Sequence, residues 1–181
     1  TYSWVAADNP AVTGESTTPQ TGSVINNTIT NISNANEQVV YTVTPTSING
    51  CVGNPFTVTV TVRPEPKGFN DTTPITCSDV AFNYDLTTNI ANTGAGGNNL
   101  VAGTSYSWVA AANAFVAGES TSAQSGAIIT DVLNNITNIN QTVTYTVTPT
   151  SALGCVGNPF TVQVTVRPEP KGYNDTTPII C

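Results

Sequence analysis

The strongest pattern in the chain is an alternation of apolar and polar residues with a period of two. The stretch FTVTVTV, residues 56–62, places an apolar side chain at every second position and threonine between them. The stretch QVVYTVTP, residues 38–45, does the same with Val39, Tyr41 and Val43 on one face. A period of two is that of a half-buried β-strand, so both stretches predict strands with one face in a core.

Further strands are predicted in other parts of the chain. The stretch YSWV, residues 2–5, predicts a third strand, residues 126–133 are apolar enough for another, and VAFNYDL, residues 80–86, alternates again. Asn, Gly and Pro separate these stretches, as they do at turns. No stretch shows a helical period with capping residues. The pattern therefore predicts an all-β protein of the β-sandwich type.

The chain contains the same sequence twice. Residues 1–77 align with residues 105–181 at a constant shift of 104 positions, without a gap, and 52 of the 77 positions are identical. One difference, Thr59 against Gln163, falls on the threonine face of the predicted strand. Two copies of a unit of this size indicate a tandem duplication. The residues that are predicted to face the core are the same in both copies of this strand.

The boundary between copies is predicted at RPEPKG, residues 63–68. Its prolines cannot donate to a β-ladder, and they hold the backbone extended. We therefore predict tandem β-sandwich domains joined by short Pro-rich linkers: an incomplete sandwich at 1–64 that lacks its opening strands, a complete one at 65–168, and the start of a third at 169–181. The chain is expected to be a window on a longer array.

The alternation also assigns aromatic residues to the cores. Trp108 on an inward face is typical of the packing centre of a sandwich, and the alternative is an exposed platform on which a sugar stacks. The predicted core residues, in pairs related by the repeat, are Trp4 and Trp108, Tyr41 and Tyr145, and Phe56 and Phe160.

Composition limits the partners. The charged fraction is 8%, and the net charge of −7 includes only four basic residues. No basic patch can be assembled, so nucleic acid and anionic membranes are expected to be poor partners. No apolar run approaches the roughly 18 residues of a membrane span.

The residue types needed for catalysis are missing. There is no His, so a Ser-His or Cys-His nucleophile is excluded. Asp79 and Asp85 share a strand face at roughly 20 Å, too far apart for a glycosidase pair. Glu15 and Glu119 recur in GES, where hydrogen bonding within a loop is the simpler interpretation. We predict no enzymatic activity and no cofactor.

A metal ion at the joints is the remaining ligand hypothesis. Some β-sandwich arrays bind calcium between domains through clustered carboxylates. Here each joint supplies few: Glu65 with Asp71 at the first, and Glu169 with Asp175 at the second. The sequence therefore predicts no metal ligands, and junction calcium stays an open alternative.

The four cysteines predict disulfides of an exported protein, and buried free thiols in a cytosolic protein are the alternative. They form no CxxC motif. Cys51 precedes the strand at 56–63, which travels roughly 26 Å before the joint and Cys77, whereas a disulfide needs Cα atoms within about 7 Å. We therefore predict a Cys77–Cys155 bridge within one unit, and partners for Cys51 and Cys181 outside this window or in a neighbouring chain.

A family resemblance adds to this interpretation. With CSDVAF, YSWVAA, VVYTVTPTS and NGCVGNPFTVTVTVRPEP, the chain resembles the PKD-like, immunoglobulin-like repeats of very long Bacteroidota surface proteins. Those proteins look like substrates of type IX secretion and often end in a gliding-motility-type sorting domain. The resemblance covers essentially every residue. It implies tandem immunoglobulin-like sandwiches outside the cell, in an extended fibre or adhesin, without an activity.

Glycans are the modification that these features suggest. Asp71-Thr72-Thr73 and the copy at 175–177 are similar to the Bacteroidota O-glycosylation pattern, which makes Thr72 and Thr176 candidate sites; an ordinary polar turn is the alternative. Six asparagines lie in Asn-x-Ser/Thr sequons, relevant where the organism glycosylates Asn: Asn26, Asn31, Asn70, Asn135, Asn140 and Asn174.

Two function classes follow. The first is a structural repeat of a stalk or filament at the cell surface, whose partners are neighbouring repeats of the same protein in a homopolymeric fibre or tandem array. The second is an adhesin repeat that binds carbohydrate or another surface. Residues 21–30 and 125–134 share only two identities. A ligand site would be repeated there, so structure is favoured. Strand exchange between chains, through a unit's opening strands and its long loop at 87–99, is an alternative to one continuous chain.

Overall fold

The computed structural model describes residues 1–89 and 101–172. Within these ranges the chain forms two compact units. The first contains Thr1–Gly68 with residues 101–105 and Pro149–Asn158, and the second contains Phe69–Asn89, Tyr106–Thr148 and residues 159–172. The division at 1–64, 65–168 and 169–181 stays a prediction. Most of the predicted third repeat and most of the long loop at 87–99 lie outside the described residues.

The first unit is built on one antiparallel sheet with the strand order β3-β1-β5-β6. Strands β2 and β4 pair separately. Threonine and valine fill the two long strands because a branched side chain packs well on a pleated surface. The strands are β1 (Tyr2–Ala6), β2 (Val12–Thr13), β3 (Gln20–Thr21), β4 (Thr30–Asn31), β5 (Glu37–Pro45) and β6 (Phe56–Val62).

The second unit repeats this sheet and extends it. The order is β12-β10-β15-β16-β7, and β8 also pairs with β16. Two small ladders, β11 with β14 and β9 with β13, complete the unit. The elements are β7 (Asp71–Thr72), β8 (Thr76–Cys77), β9 (Tyr84–Asp85), α1 (Leu86–Asn89), β10 (Ser105–Ala110), β11 (Val116–Ala117), β12 (Gln124–Ser125), β13 (Ile128–Ile129), β14 (Asn134–Asn135), β15 (Gln141–Thr150) and β16 (Phe160–Arg167).

The same aromatic pair lies at the centre of each core. Trp4 meets Tyr41 edge to face with ring centroids 5.8 Å apart, and Trp108 meets Tyr145 at the same 5.8 Å. All four side chains are buried. This arrangement suits the aromatic quadrupoles and adds to the burial energy. The period of two therefore located the core faces of β5, β15 and β16, whereas the predicted core face of β6 is exposed at Phe56, Val58 and Val60.

Two predicted strands are wrong as continuous elements. Residues 126–133 contain only the short β13, and residues 80–86 contain only β9 before the one-turn helix α1 begins. The two segments do run side by side, because the amides of Asp79, Phe82 and Leu86 donate to carbonyls of 127–133. Phe82 and Leu86 are buried while Val80 is exposed, so irregular backbone lies between the anchoring side chains.

The predicted core position of Phe56 is also wrong. Its side chain is 48% exposed, whereas its counterpart Phe160 is 3% exposed. The pairing of β6 with β5 has the same register as the pairing of β16 with β15 at all seven paired positions. In the second unit, residues 70–77 lie beside β16, whereas β6 pairs only with β5 among the described residues.

Candidate interaction surface

The last strand of the second unit is paired on both edges. Its outer edge carries β7 and β8 in parallel, with Val162 opposite Asp71 and Arg167 opposite Cys77. The Thr73 amide donates to the Gln163 carbonyl at 2.9 Å. The polar side chain of Asn70 accepts from the Thr161 amide at 2.8 Å. The unit's opening segment therefore runs beside its closing strand.

The corresponding strand of the first unit has an open outer edge. β6 is the edge strand of its sheet, and among residues 1–89 and 101–172 it pairs only with β5. Val58 and Val60 are each 37% exposed, while the counterparts Val162 and Val164 are fully buried. An edge strand with exposed valines and phenylalanine is a template for an additional strand. We call β6 and its outer edge the open edge.

Arg63, directly after the open edge, contacts a hairpin of the same compact unit. Its Nη1 donates to the Leu153 carbonyl at 3.2 Å. A cleft beside it is lined by Val60, Val62, Arg63, Glu65, Leu153 and Cys155. Cys155 is half-buried there, and its amide donates to the Ser151 hydroxyl at 3.0 Å.

The predicted Cys77–Cys155 bridge does not fit the structure. Cys51, Cys77 and Cys155 are all free thiols. Cys77 lies opposite Arg167, whereas Cys155 precedes the other end of β16. The seven steps from Phe160 to Arg167 span roughly 23 Å, far beyond disulfide reach. The prediction assumed that the opening strand leaves Cys77 at the entry end, but parallel pairing carries it to the exit end. Cys181 lies outside the described residues.

A polar side chain anchors the central tyrosine of each unit. In the second unit, the Asp131 carboxylate accepts from the Tyr145 hydroxyl at 2.9 Å. It also accepts from the Ser120 amide and the Ser120 hydroxyl, each at 2.8 Å. Asp131 is 7% exposed. A buried carboxylate is tolerated when donors surround it, as these three do.

The first unit builds the same anchor with an amide. Asn27 accepts from the Tyr41 hydroxyl at 2.9 Å and from the Ser16 amide at 3.1 Å. Its Nδ2 donates to the Ser16 hydroxyl at 2.8 Å, so the serine reverses its role. The sequence interpretation missed this anchor, because it lies in the stretch where the two copies diverge. The one available signal was that the alignment of the two copies pairs Asn27 with Asp131, because the side chains of both can accept hydrogen bonds.

The electrostatics of the second unit act on its tyrosines. Burial raises the pKa of Tyr145, and the hydrogen bond to Asp131 raises it further. Burial, followed by the hydrogen bond to Asp71, raises the pKa of Tyr84 to about 12. The Tyr84 hydroxyl donates to Asp71 at 2.7 Å and accepts from Asn89 at 2.9 Å. Both tyrosines are therefore neutral hydrogen-bond donors. Tyr84 binds the opening segment through Asp71, and Tyr145 binds Asp131 in the core.

Two of the sequon asparagines are structural. The Asn135 Nδ2 donates to the carbonyls of Ile139 and Val166 at 2.8 and 2.9 Å. Asn31 repeats this with Ala35 and Val62 at 2.7 and 2.8 Å. Both asparagines are buried. Because each Nδ2 uses both hydrogens inside the protein, neither asparagine can accept a glycan in the folded state.

The recurring glutamates are structural as well. Glu15 accepts from the Asn9 amide at 3.2 Å, and Glu119 accepts from the Asn113 amide at 3.1 Å. The side-chain oxygen of each asparagine also accepts a hydrogen bond from the backbone amide two residues later in the same turn. The prediction of loop hydrogen bonding for both glutamates is confirmed.

Of the two candidate O-glycosylation sites, the structure describes Thr72. Thr72 is exposed on β7, so its hydroxyl faces away from the core, and glycosylation there stays a prediction. Thr176 lies outside the described residues.

Within residues 1–89 and 101–172, no group of three or more His, Cys, Asp or Glu side chains is arranged to hold a metal ion. In the same ranges, no helix has the length and apolar character to cross a membrane.

The fold and these surfaces define a class: tandem, immunoglobulin-like β-sandwich domains with polar anchors. Comparison with known proteins gives the family. A model described as PKD-like domain matches residues 1–66 and 74–170. The chain therefore belongs to the PKD-like domain family, and the predicted fold class is confirmed. None of the curated proteins compared with the chain matched it. PKD-like domains are commonly extracellular and generally non-catalytic, and they suggest a structural or adhesion-type role.

Proposed function

We propose that this protein is a non-enzymatic structural repeat of an extracellular fibre, stalk or filament at the cell surface. Its partners are neighbouring repeats of the same protein. Export by type IX secretion in a Bacteroidota cell belongs to the same proposal and is supported by the motif resemblance. Tandem repetition produces length, which is what a stalk requires.

The observation that carries the proposal is the parallel pairing of the opening and closing strands of the second unit. Tension along the chain pulls β7 and β16 in opposite directions along their own axes. The bonds from Thr73 to Gln163 and from Ser78 to Arg167, at 2.9 and 3.0 Å, are then strained together. A ladder loaded in shear resists force better than one that opens a bond at a time.

The divergent stretch supports the structural role over the adhesin role. Asn27 and Asp131 differ in charge, yet both hold the central tyrosine and a serine. The side chains that repeat between units are those that fasten the backbone. This is the expected pattern when the framework, and no shared ligand, is the repeated feature.

Pulling single molecules of the full chain tests the proposal. We expect the second unit to unfold at high force with an extension of roughly 300 Å, as a chain of this length allows. The first unit, without a parallel partner on β6, is the internal control and should unfold at lower force. Thr73→Pro removes the amide of the shear ladder and should lower the high-force peak, while Thr72→Ala should not. A second unit that unfolds without a distinct force peak would contradict the structural role, and saturable binding of the full chain to a glycan surface would favour an adhesin.

A further inference from the structure

The linker that follows β6 packs onto the protein. Pro64 and Pro66 are both buried, although the charged residues on either side of Pro64 are exposed. The linker contacts the hairpin of residues 149–157, which connects β15 to β16 and lies in the same compact unit as the linker. We call residues 63–66 the strap and residues 149–157 the receiving hairpin.

Contacts at both ends hold the strap on the receiving hairpin. At its start, Arg63 Nη1 donates to the Leu153 carbonyl at 3.2 Å. Pro64 then lines a small cavity together with Leu153. At its end, the Pro66 carbonyl lies so close to Gly157 that a Cβ added to this glycine would overlap the carbonyl oxygen. The contacts therefore extend from the first residue of the strap to its last.

Gly157 leaves the space that the strap fills. It is buried, and its φ lies outside the left-handed region, so its backbone conformation alone does not require glycine. The requirement comes from the Pro66 carbonyl, because a backbone atom cannot move aside as the end of a flexible side chain can. At Gly53, the equivalent position in the hairpin between β5 and β6, the atoms nearest to an added Cβ all belong to Pro45. The strap therefore makes glycine necessary at position 157.

The two prolines suit a segment that docks. Proline has no backbone amide, so the burial of Pro64 and Pro66 leaves no donor without a partner. Their rings already restrict the backbone to extended conformations, so docking loses little conformational entropy. The Gly157 amide below the strap donates to the Pro149 carbonyl at 2.9 Å and is satisfied. Burial of the strap therefore sacrifices few hydrogen bonds to water.

We propose that the receiving hairpin is a docking site for the Pro-rich strap of the same chain, and that Gly157 permits the docking. The linker then has two states. In the docked state, the strap fixes the direction in which the chain leaves β6. In the released state, only the proline rings keep the segment extended. Docking therefore adds to proline stiffness in setting the rigidity of this linker.

This inference deepens the proposed structural role, and it rests on that role only for the use of the docked state. A stalk benefits from a linker that resists bending at rest and yields length when the strap is released. The two proposals fail separately. Docking is tested on single chains without force, whereas the force resistance of the second unit depends on β7 and β16, which do not include the strap.

Digestion of the full chain with trypsin tests the docking, because the chain offers only two cleavable bonds. Of the four basic residues, Arg63 and Arg167 precede proline, which blocks cleavage, so Lys67 and Lys171 remain. Both lysines stand in the same sequence, RPEPKG. A protease binds the residues before its target bond in an extended form, so the strap must leave the hairpin before the chain is cut after Lys67. We expect native cleavage there to be at least about tenfold slower than after Lys171. In urea the two rates should be equal.

Gly157→Ala is the test variant, and Gly53→Ala is its matched control. Both added methyl groups meet a proline ring, at 3.1 and 3.0 Å, but only the one at position 157 also meets the strap. We expect Gly157→Ala to speed cleavage after Lys67 about tenfold and Gly53→Ala to leave it unchanged. The Asn89 side chain holds Phe69 beyond the cleaved bond, but its opening multiplies with release of the strap, so the acceleration is retained. Circular dichroism confirms that both variants are folded.

Thiol labelling gives a second readout on the receiving hairpin. Cys155 is half-buried in a cleft that it lines with Arg63, whereas Cys51 in the hairpin between β5 and β6 is exposed. Iodoacetamide should therefore alkylate Cys155 more slowly than Cys51, as peptide mass spectrometry resolves. Gly157→Ala should raise the rate at Cys155 and leave the rate at Cys51 unchanged.

Three results would overturn the inference. The first is equal cleavage after Lys67 and Lys171 in the native chain. The second is a wild-type rate of either cleavage after Lys67 or labelling of Cys155 in Gly157→Ala. The third is the same acceleration in Gly53→Ala as in Gly157→Ala, because the strap would then not be its cause.

Discussion

The buried carboxylate of Asp131 offers the sharpest test of how the second unit is held together. Asp131→Ala removes the acceptor for Tyr145 and for both donors of Ser120. Each buried donor left without a partner costs about 1–3 kcal/mol. Because the Tyr145 hydroxyl is buried and the Ser120 amide is half-buried, we expect a loss of about 2–4 kcal/mol in the free energy of unfolding.

The matched control is Asp131→Asn, which installs the residue that the first unit uses. Asn27 already accepts from a tyrosine hydroxyl and a serine amide in that unit. The amide should therefore keep the bonds to Tyr145 and Ser120, and we expect a loss below about 1 kcal/mol.

The assay is urea denaturation followed by the fluorescence of Trp108. Each unit contains one tryptophan, so Trp4→Phe leaves a signal from the second unit alone. Trp108 packs against Tyr145, which makes it sensitive to the anchor. If Asp131→Asn destabilises the second unit as much as Asp131→Ala does, the charge and not the hydrogen bonds is responsible, and the reasoning is refuted.

Three further outcomes are expected. Phe160→Ala should cost about 3–5 kcal/mol and Phe56→Ala below about 1 kcal/mol, because only Phe160 is buried; equal costs in urea denaturation would contradict the account of the open edge. Asn135→Ala should cost about 2–4 kcal/mol by the same assay, since two carbonyls lose their donor; a loss below about 1 kcal/mol would speak against a structural Asn135. Burial raises the pKa of Tyr145, so the unfolded chain releases that proton first as the pH rises above about 10. Tyr145 should contribute nothing to the pH dependence below about pH 10 and a loss of about 1.4 kcal/mol per pH unit above it. Tyr84 and Tyr106, whose pKa values burial also raises, add to this slope. Tyr145→Phe should therefore make the slope shallower by about 1.4 kcal/mol per pH unit, and an unchanged slope would exclude Tyr145 as a source.

The long strands could be predicted because their pattern is local. Every second residue is apolar throughout β6 and β16, and from Val39 onward in β5 and Val143 onward in β15, and the β-period needs nothing more than that. The short strands escaped prediction for the opposite reason. Elements of two residues, such as β9 and β13, have too few positions to show a period, and they exist because buried side chains from elsewhere fix them.

The candidate site was predicted less well. The sequence located the cysteines and the repeated glutamates, and the loop role of the glutamates was inferred from their recurrence in GES. The anchor at Asn27 and Asp131 was missed because it changes residue type between copies while its hydrogen-bonding role is maintained. The cysteine pairing was wrong because the direction of the opening strand relative to β16 was not available.

The sequence by itself determined the duplication, the all-β class and the inward faces of β5, β15 and β16. These properties follow from periodicity and from identity between positions of one chain. Only the tertiary structure decided which strand neighbours β16, and hence where Cys77 lies and why Phe160 is buried while Phe56 is not. The physical reason is that a strand carries its own alternation, whereas the partner at its edge, and the direction in which that partner runs, are set by residues far away in the chain.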